Sequence, residues 1–220
     1  QPTVTLSVGS SNVGENLGTT TVTATLDAVS GLNVTVTLFR SGTATINIDY
    51  SLAGTILIPA GQSASAVTLS ALGDTSDEPD ETVVIEISAV ANGIKGSTSS
   101  QTVTLIDDDV APLVTLSVGS IRIGENNGST LVTAIVDRAS GREVKVTLVK
   151  RTSGTAVENT DYVLGNTIVI PVGSTASFIT LAALDDEINE FDETVVIDIG
   201  TVENGTESGG ENGTANGYHC

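Results

Sequence analysis

The sequence predicts an all-β protein built from two tandem immunoglobulin-like antiparallel sandwiches of about seven strands each. The chain is rich in Thr, Val, Ile, Gly and Ser, with only 3% aromatic residues. Short runs alternate between apolar and polar residues and are separated by turn-forming residues, which is typical of sandwich strands. We find no helical periodicity of useful length. The chain has no Trp and a single Cys, so an antibody-type Cys…Trp…Cys core is excluded.

A long internal repeat predicts the domain organisation. Val4–Gly9 returns as Val114–Gly119, and Asp80–Ile85 returns as Asp192–Ile197. A period of this length is a duplicated domain rather than a solenoid unit. We therefore predict one domain over residues 1–110, a second and incomplete domain over 111–205, and a Gly-rich tail over 206–220.

The strands of the first copy follow from the alternating runs and the Gly, Asn, Asp, Ser and Pro clusters between them. The second copy repeats this pattern up to Gly205, but it lacks a recognisable last strand. The predicted strands, A to G, are Val4–Val8, Thr21–Leu26, Val34–Phe39, Thr55–Ile58, Ala64–Ser70, Thr82–Ser88 and Thr102–Ile106.

The charge balance excludes several classes of partner. Eight Lys and Arg residues stand against 27 Asp and Glu residues, a formal net charge of -19. Nucleic acid and anionic membranes both require cationic partners, so neither is expected. No run of 18 apolar residues is present, so no membrane span is predicted. His219 is the only histidine and lies in the Gly-rich tail, which argues against a catalytic triad and against an enzyme.

The acidic residues are predicted to gather at one end of the first sandwich. In antiparallel strands with short connections, the A–B, C–D and E–F loops share an end with the exit of strand G. Glu15, Asp49, the acidic E–F loop and Asp107–Asp109 all fall at that end. Either this end is a solvated acidic rim, or cations neutralise it. Donors that are all oxygen, without His or Cys, favour calcium over zinc, and magnesium is less suitable.

Four acidic segments in this order resemble Calx-beta domains, the calcium-binding sandwiches of sodium–calcium exchangers and of large extracellular bacterial proteins. The segments are G-E-N after strand A, D-Y after strand C, D-D-E-x-x-E-x-D-E-T between strands E and F, and a terminal L-I-D-D-D. The resemblance implies calcium ligands at Glu15, Asp49, Asp74, Glu78, Glu81, Asp107, Asp108 and Asp109 in the first copy, and at Glu125, Asp161, Asp185, Asp186, Glu190 and Glu193 in the second. The first copy departs from the pattern with Gly73 where the second has Asp185, and the second copy lacks the L-I-D-D-D segment.

These patterns predict a calcium-binding structural or adhesive module of an exported surface or filament-forming protein. Calcium would rigidify the domain junction, with Arg138 and Arg142 as candidate interface residues facing the acidic end of the first copy. The alternative is a regulatory calcium sensor, as in exchangers. Calcium ions are the expected partner, and other copies of the chain are a second candidate through strand addition, with Val4–Val8 as the donor. The expected location is extracellular or at the cell surface.

Overall fold

The computed structural model describes residues 1–185 and 191–208, and the backbone alone at 218–219. Every regular element in this part of the chain is a β-strand, which confirms the predicted all-β class. No helix among these residues is long and apolar enough to cross a membrane. The structure divides into two compact units: unit 1 contains Gln1–Thr75 and Pro79–Asp109, and unit 2 contains Ser76–Glu78 and Val110–Cys220.

Unit 1 is a sandwich of two five-stranded sheets. One sheet has the order β5-β7-β3-β1-β9 and the other the order β2-β10-β8-β4-β6. The strands are β1 (Thr3–Val8), β2 (Asn12–Gly14), β3 (Thr19–Leu26), β4 (Val34–Gly42), β5 (Tyr50–Leu52), β6 (Thr55–Ile58), β7 (Ala64–Ala71), β8 (Glu81–Ala91), β9 (Ile94–Lys95) and β10 (Ser100–Ile106).

The core of unit 1 follows from the period-two alternation of its strands. In β3, every second residue from Thr20 to Leu26 is buried, while the residues between them are exposed or half-buried. Apolar side chains such as Leu6, Ile56 and Ile85 are almost completely inaccessible and fill the space between the sheets. Burial of these β-branched and aliphatic side chains is the main force that holds the sandwich together.

In both units, two hydrogen bonds join the first strand to the aspartate that follows its antiparallel partner strand. The Thr3 backbone N–H donates to Asp27 Oδ1 at 2.7 Å, and the Asp27 N–H donates to the Thr3 carbonyl at 3.0 Å. Asp137 makes the same exchange with Leu113. The donated backbone N–H lowers the pKa of Asp27 and of Asp137, because it stabilises the ionised carboxylate.

Unit 2 repeats the first sheet of unit 1 but divides the second one. Its sheets have the orders β14-β16-β12-β11-β19, β15-β13-β18 and β17-β20. The strands are β11 (Leu113–Val118), β12 (Ser129–Val136), β13 (Val144–Lys150), β14 (Tyr162–Leu164), β15 (Thr167–Ile170), β16 (Ala176–Ala183), β17 (Thr194–Val195), β18 (Ile197–Glu203), β19 (Thr206–Glu207) and β20 (Tyr218–His219).

Two segments of the predicted Gly-rich tail belong to sheets of unit 2. Thr206–Glu207 runs parallel to β11, and Tyr218–His219 pairs antiparallel with Thr194–Val195. In unit 1 the equivalent Thr82–Val83 pairs with Thr104 and Val103. Tyr218 and His219 therefore take the place of Val103 and Thr104, so a short last strand is present where none was recognisable in the sequence.

The segment Val4–Val8, the candidate donor for strand addition, is already paired inside unit 1. It lies within β1, and its five residues pair with Leu26 to Val22 of β3. On the other side of β1, Thr3 and Val4 pair with β9. Both edges of this strand are thus in use over part of its length, which leaves it poorly suited to pair with a neighbouring molecule.

Candidate metal centre

Strand pairing places Glu15 beside the end of the last strand of unit 1. The short strand β2 runs parallel to β10, with Gly14 opposite Ile106. The Glu15 N–H continues this ladder by donating to the Ile106 carbonyl at 2.8 Å. Because Asp107–Asp109 follow Ile106 directly, the pairing brings the A–B loop and the acidic exit of β10 together.

The loop after β7 approaches Glu15 from the other sheet. The Ala71 N–H donates to the Gly18 carbonyl at 2.8 Å, and the Asp74 N–H donates to Glu15 Oε1 at 3.3 Å. A Cβ atom on Gly73 would lie 2.9 Å from the Asn16 Cα. A glycine is therefore needed at position 73 for this close approach, whereas the sequence alone shows only that the first copy has Gly73 where the second has Asp185.

Three predicted ligands meet at this point. One carboxylate oxygen from each of Glu15, Asp74 and Asp109 lies within 4.8 Å of the other two. Burial raises the pKa of Glu15 most strongly, and the negative charges of Asp107, Asp74 and Asp109 raise it further, while the Asp74 N–H opposes them. The cluster thus concentrates negative charge on oxygen atoms alone, which is the donor set that a hard cation prefers.

Two further acidic residues orient the loops around this cluster. Asp49 Oδ2 accepts from the Thr45 N–H, and its carbonyl accepts from the Leu72 N–H at 2.9 Å. Asp49 thereby anchors the beginning of the loop that carries Asp74. Asp80 Oδ1 accepts from the Asp107 N–H at 3.2 Å. Asp80 was not among the predicted ligands, although it opens the repeated D-E-T-V-V-I segment.

The remaining predicted ligands of the first copy lie outside the three-residue cluster. Asp107 is half-buried, and Asp108 is exposed. Glu81 is the first residue of β8. Glu78 is half-buried and groups with unit 2. The structure therefore brings together one predicted ligand from each of three segments, and these four residues, like Asp49, are not part of that group.

In unit 2 the predicted ligands form no comparable group among the described residues. Asp161 Oδ2 accepts from the Val157 N–H at 2.6 Å, the same turn contact that Asp49 makes in unit 1. Asp185 is exposed, while Glu125 and Glu193 are half-buried. Asp186 and Glu190 lie outside the described residues, so their part in a second site stays a prediction.

The two predicted interface arginines differ in their contacts. Arg138 pairs with its neighbour Asp137 at 3.1 Å. Within unit 2, the Arg142 guanidinium donates to the Glu78 carbonyl, and Ser140 Oγ lies 3.2 Å from Asp77 Oδ2. Asp77 and Ser140 are buried. Arg142 therefore helps to hold Ser76–Glu78 in this unit, whereas Arg138 forms an ion pair with the preceding residue.

A comparison with protein-family models decides the classification. The Calx-beta domain model matches the chain twice, at residues 1–109 and 107–216. The chain belongs to the Calx-beta domain family. Its two Calx-beta domains account for nearly the whole sequence, and the resemblance seen in the acidic motifs is confirmed.

Solved structures of tandem Calx domains are similar to this chain at low sequence identity. CBD12 from CALX1.2 is 22% identical, with 91% of this chain and 80% of that chain covered and a TM-score of 0.44. The calcium binding domain CBD12 of CALX1.1 is 23% identical, with coverages of 87% and 77% and a TM-score of 0.41. A two-domain protein of unknown function from Bacteroides fragilis is 11% identical, with coverages of 83% and 84% and a TM-score of 0.38.

Proposed function

We propose that unit 1 binds a calcium ion through Glu15, Asp74 and Asp109. The observation that carries this proposal is the meeting of three carboxylate oxygens within 4.8 Å. Carboxylates at such a separation repel one another, and a bound cation offsets that repulsion by attracting each of them. The group offers only oxygen donors, as calcium prefers, and a Calx-beta domain is the expected setting for such a site.

The ion would join three segments through their carboxylates, in addition to the hydrogen bonds that already connect them. These are the loops that follow β2 and β7 and the exit of β10. Asp109 is the last residue of unit 1, and Val110 begins the main segment of unit 2. A ligand at this position would restrict the chain at the junction, so calcium would rigidify it.

We infer a structural or adhesive role in an exported surface or filament-forming protein, without catalytic activity. Calcium affinity depends on the number of charged ligands and on the rigidity of the site. A group of three carboxylates with Gly73 beside it, where unit 2 has Asp185, favours the weak affinity that suits extracellular calcium. This affinity range is the reason for proposing an extracellular or cell-surface location.

A calcium titration by calorimetry tests this role against that of a regulatory sensor. We expect a dissociation constant of about 10⁻⁴–10⁻³ M, as in extracellular modules. A value of about 10⁻⁷–10⁻⁵ M would instead support a sensor. The control is the Asp74→Asn chain, whose titration should lack the heat of calcium binding at the unit 1 site. An unchanged titration for that variant would contradict the assignment of the site.

Small-angle scattering tests whether calcium rigidifies the junction. We expect the flexibility of the chain, read from the decay of the scattering profile at high angle, to decrease when calcium replaces a chelator. The Asp109→Asn variant should respond less, because it loses the ligand that adjoins Val110. If the chain binds calcium by calorimetry but gives identical scattering profiles in calcium and in chelator, the rigidifying role is wrong. The proposed calcium site would not be contradicted by that result.

A further inference from the structure

One sheet of unit 2 exposes a group of large apolar side chains on its outer side. The strands β11, β12, β14 and β16 alternate, and their inward residues, such as Val132 and Leu181, are buried. Five outward residues are between 39% and 59% exposed. We call this group the outer apolar face; it consists of Leu113, Leu131, Ile135, Val163 and Phe178.

Strand register places Phe178, Leu131 and Ile135 close together, with Leu113 and Val163 on the neighbouring strands β11 and β14. Phe178 on β16 lies opposite Thr133 on β12, and Leu131 and Ile135 are two residues away on either side of Thr133. Such diagonal neighbours are about 7–8 Å apart, within reach of an aromatic ring. Val163 continues the face on β14, where it lies opposite Ala182.

Unit 1 shows that the fold does not require apolar residues at these positions. The register of its equivalent sheet gives Thr21 for Leu131, Thr25 for Ile135 and Ala66 for Phe178. Ser51 corresponds to Val163 in the same way. The equivalent sheet of unit 1 therefore forms with small or hydroxyl-bearing residues at these positions. The apolar residues of unit 2 expose surface without adding to its core, which is typical of an interaction site.

The charge distribution indicates which partner fits this face. The strands β11, β12, β14 and β16 contain no Asp, Glu, Lys or Arg. The chain as a whole carries a net charge of -19, so two copies repel each other over most of their surfaces. At the outer apolar face, a second copy can approach without placing carboxylates of these four strands opposite one another, and a basic partner would find no carboxylate on them.

We propose that the outer apolar face of unit 2 binds the same face of a second copy of this chain. Such a contact is isologous, so each of the five residues meets the same group in its partner. Phe178 is the most exposed of them and provides the central contact. The contact involves none of the proposed calcium ligands, so it does not depend on the proposed function.

Sedimentation velocity of the full chain over a range of concentrations tests the proposal. We expect a monomer at low micromolar concentration and a dimer at high concentration, in chelator as well as in calcium. Raising the salt concentration should strengthen the dimer, because salt screens the repulsion between acidic copies but not an apolar contact. Dissociation by salt would overturn the proposal.

A variant that takes its residues from unit 1 provides the decisive comparison. Leu131→Thr, Ile135→Thr and Phe178→Ala together should give a monomer, and Phe178→Ala alone should raise the dimer dissociation constant by about tenfold or more. Circular dichroism should show the same strand content. The control removes exposed apolar residues from unit 1 instead, by Phe39→Ala with Leu57→Thr, and should still dimerise.

Three further results would each overturn the proposal. A native chain that stays monomeric at every concentration would mean that the face binds no second copy. A dimer of unchanged strength in the triple variant would place the contact elsewhere. Loss of the dimer in the Phe39 and Leu57 control as well would show that association is not specific to this face.

Discussion

Calcium is expected to raise the thermal stability of unit 1 strongly. Binding to the native state alone stabilises a protein by about 2.7 kcal/mol at a hundredfold excess of ligand over its dissociation constant. For a domain of this size, that gain corresponds to a shift in Tm of roughly 10 °C or more. We expect Asp74→Asn to abolish most of the shift, because it removes one of three carboxylates in the cluster. Differential scanning calorimetry with chelator and with calcium in excess measures both effects.

A matched variant separates loss of a ligand from loss of a negative charge. Asp192 is exposed in unit 2 and lies 3.8 Å from the exposed Arg122. Exposed ion pairs contribute only about 0–1 kcal/mol, so Asp192→Asn should keep the full calcium response of unit 1. Equal melting temperatures of the native chain in chelator and in saturating calcium would show that the metal hypothesis is wrong.

Substitution of Gly18 by alanine is expected to disrupt the site without touching a ligand. A Cβ atom there would meet the Gly14 carbonyl oxygen and lie 2.6 Å from Val13 Cγ1. The backbone that carries Glu15 must then shift, and overpacking of this kind typically costs about 1–3 kcal/mol. Because the Gly18 carbonyl also accepts from Ala71, the loop that carries Asp74 is affected as well. We expect a lower Tm in chelator and a calcium-induced Tm shift reduced by at least about half.

Gly14, the last residue of β2 in the same A–B connection, provides the control. A Cβ atom at Gly14 would meet no atom within 4 Å. Gly14→Ala should therefore leave the calcium response intact and should be neutral or slightly stabilising, because alanine restricts the unfolded chain. If the two variants behaved alike, the close packing of the A–B loop would not be what positions Glu15.

The longer strands could be predicted from sequence because their alternation extends over several residues. Thr55–Ile58 was predicted with its observed bounds, and β1, β3 and β7 differ from prediction by one or two residues. The strands β2, β5 and β9 were missed, since two or three residues are too few to show a period. Their pairing depends on neighbours far along the chain, as when β2 pairs with β10. The predicted end of β8 at Ser88 is too early, because Ser88 is the extra residue of a bulge opposite Thr37 and Leu38, and the strand continues to Ala91.

Candidate ligands could be predicted as residue types and loop positions, but not as a coordination group. Strand parity predicted that Glu15, Asp74 and Asp109 lie at one end, and the structure brings these three together. Which acidic residues meet depends on loop conformation, which in turn depends on backbone contacts such as that between Gly73 and Asn16. An acidic side chain such as Asp80 can also accept a hydrogen bond from a backbone N–H instead of binding an ion. The sequence pattern does not distinguish these two uses.

The most direct test of the central claim is a crystal structure of the chain grown with calcium. Our account predicts a calcium ion bound by oxygen atoms of Glu15, Asp74 and Asp109, at the ~2.3–2.6 Å separation that calcium requires. Anomalous scattering would identify the ion. A structure with calcium present in which these three carboxylates hold no ion, while calcium occupies another site or none, would contradict the account.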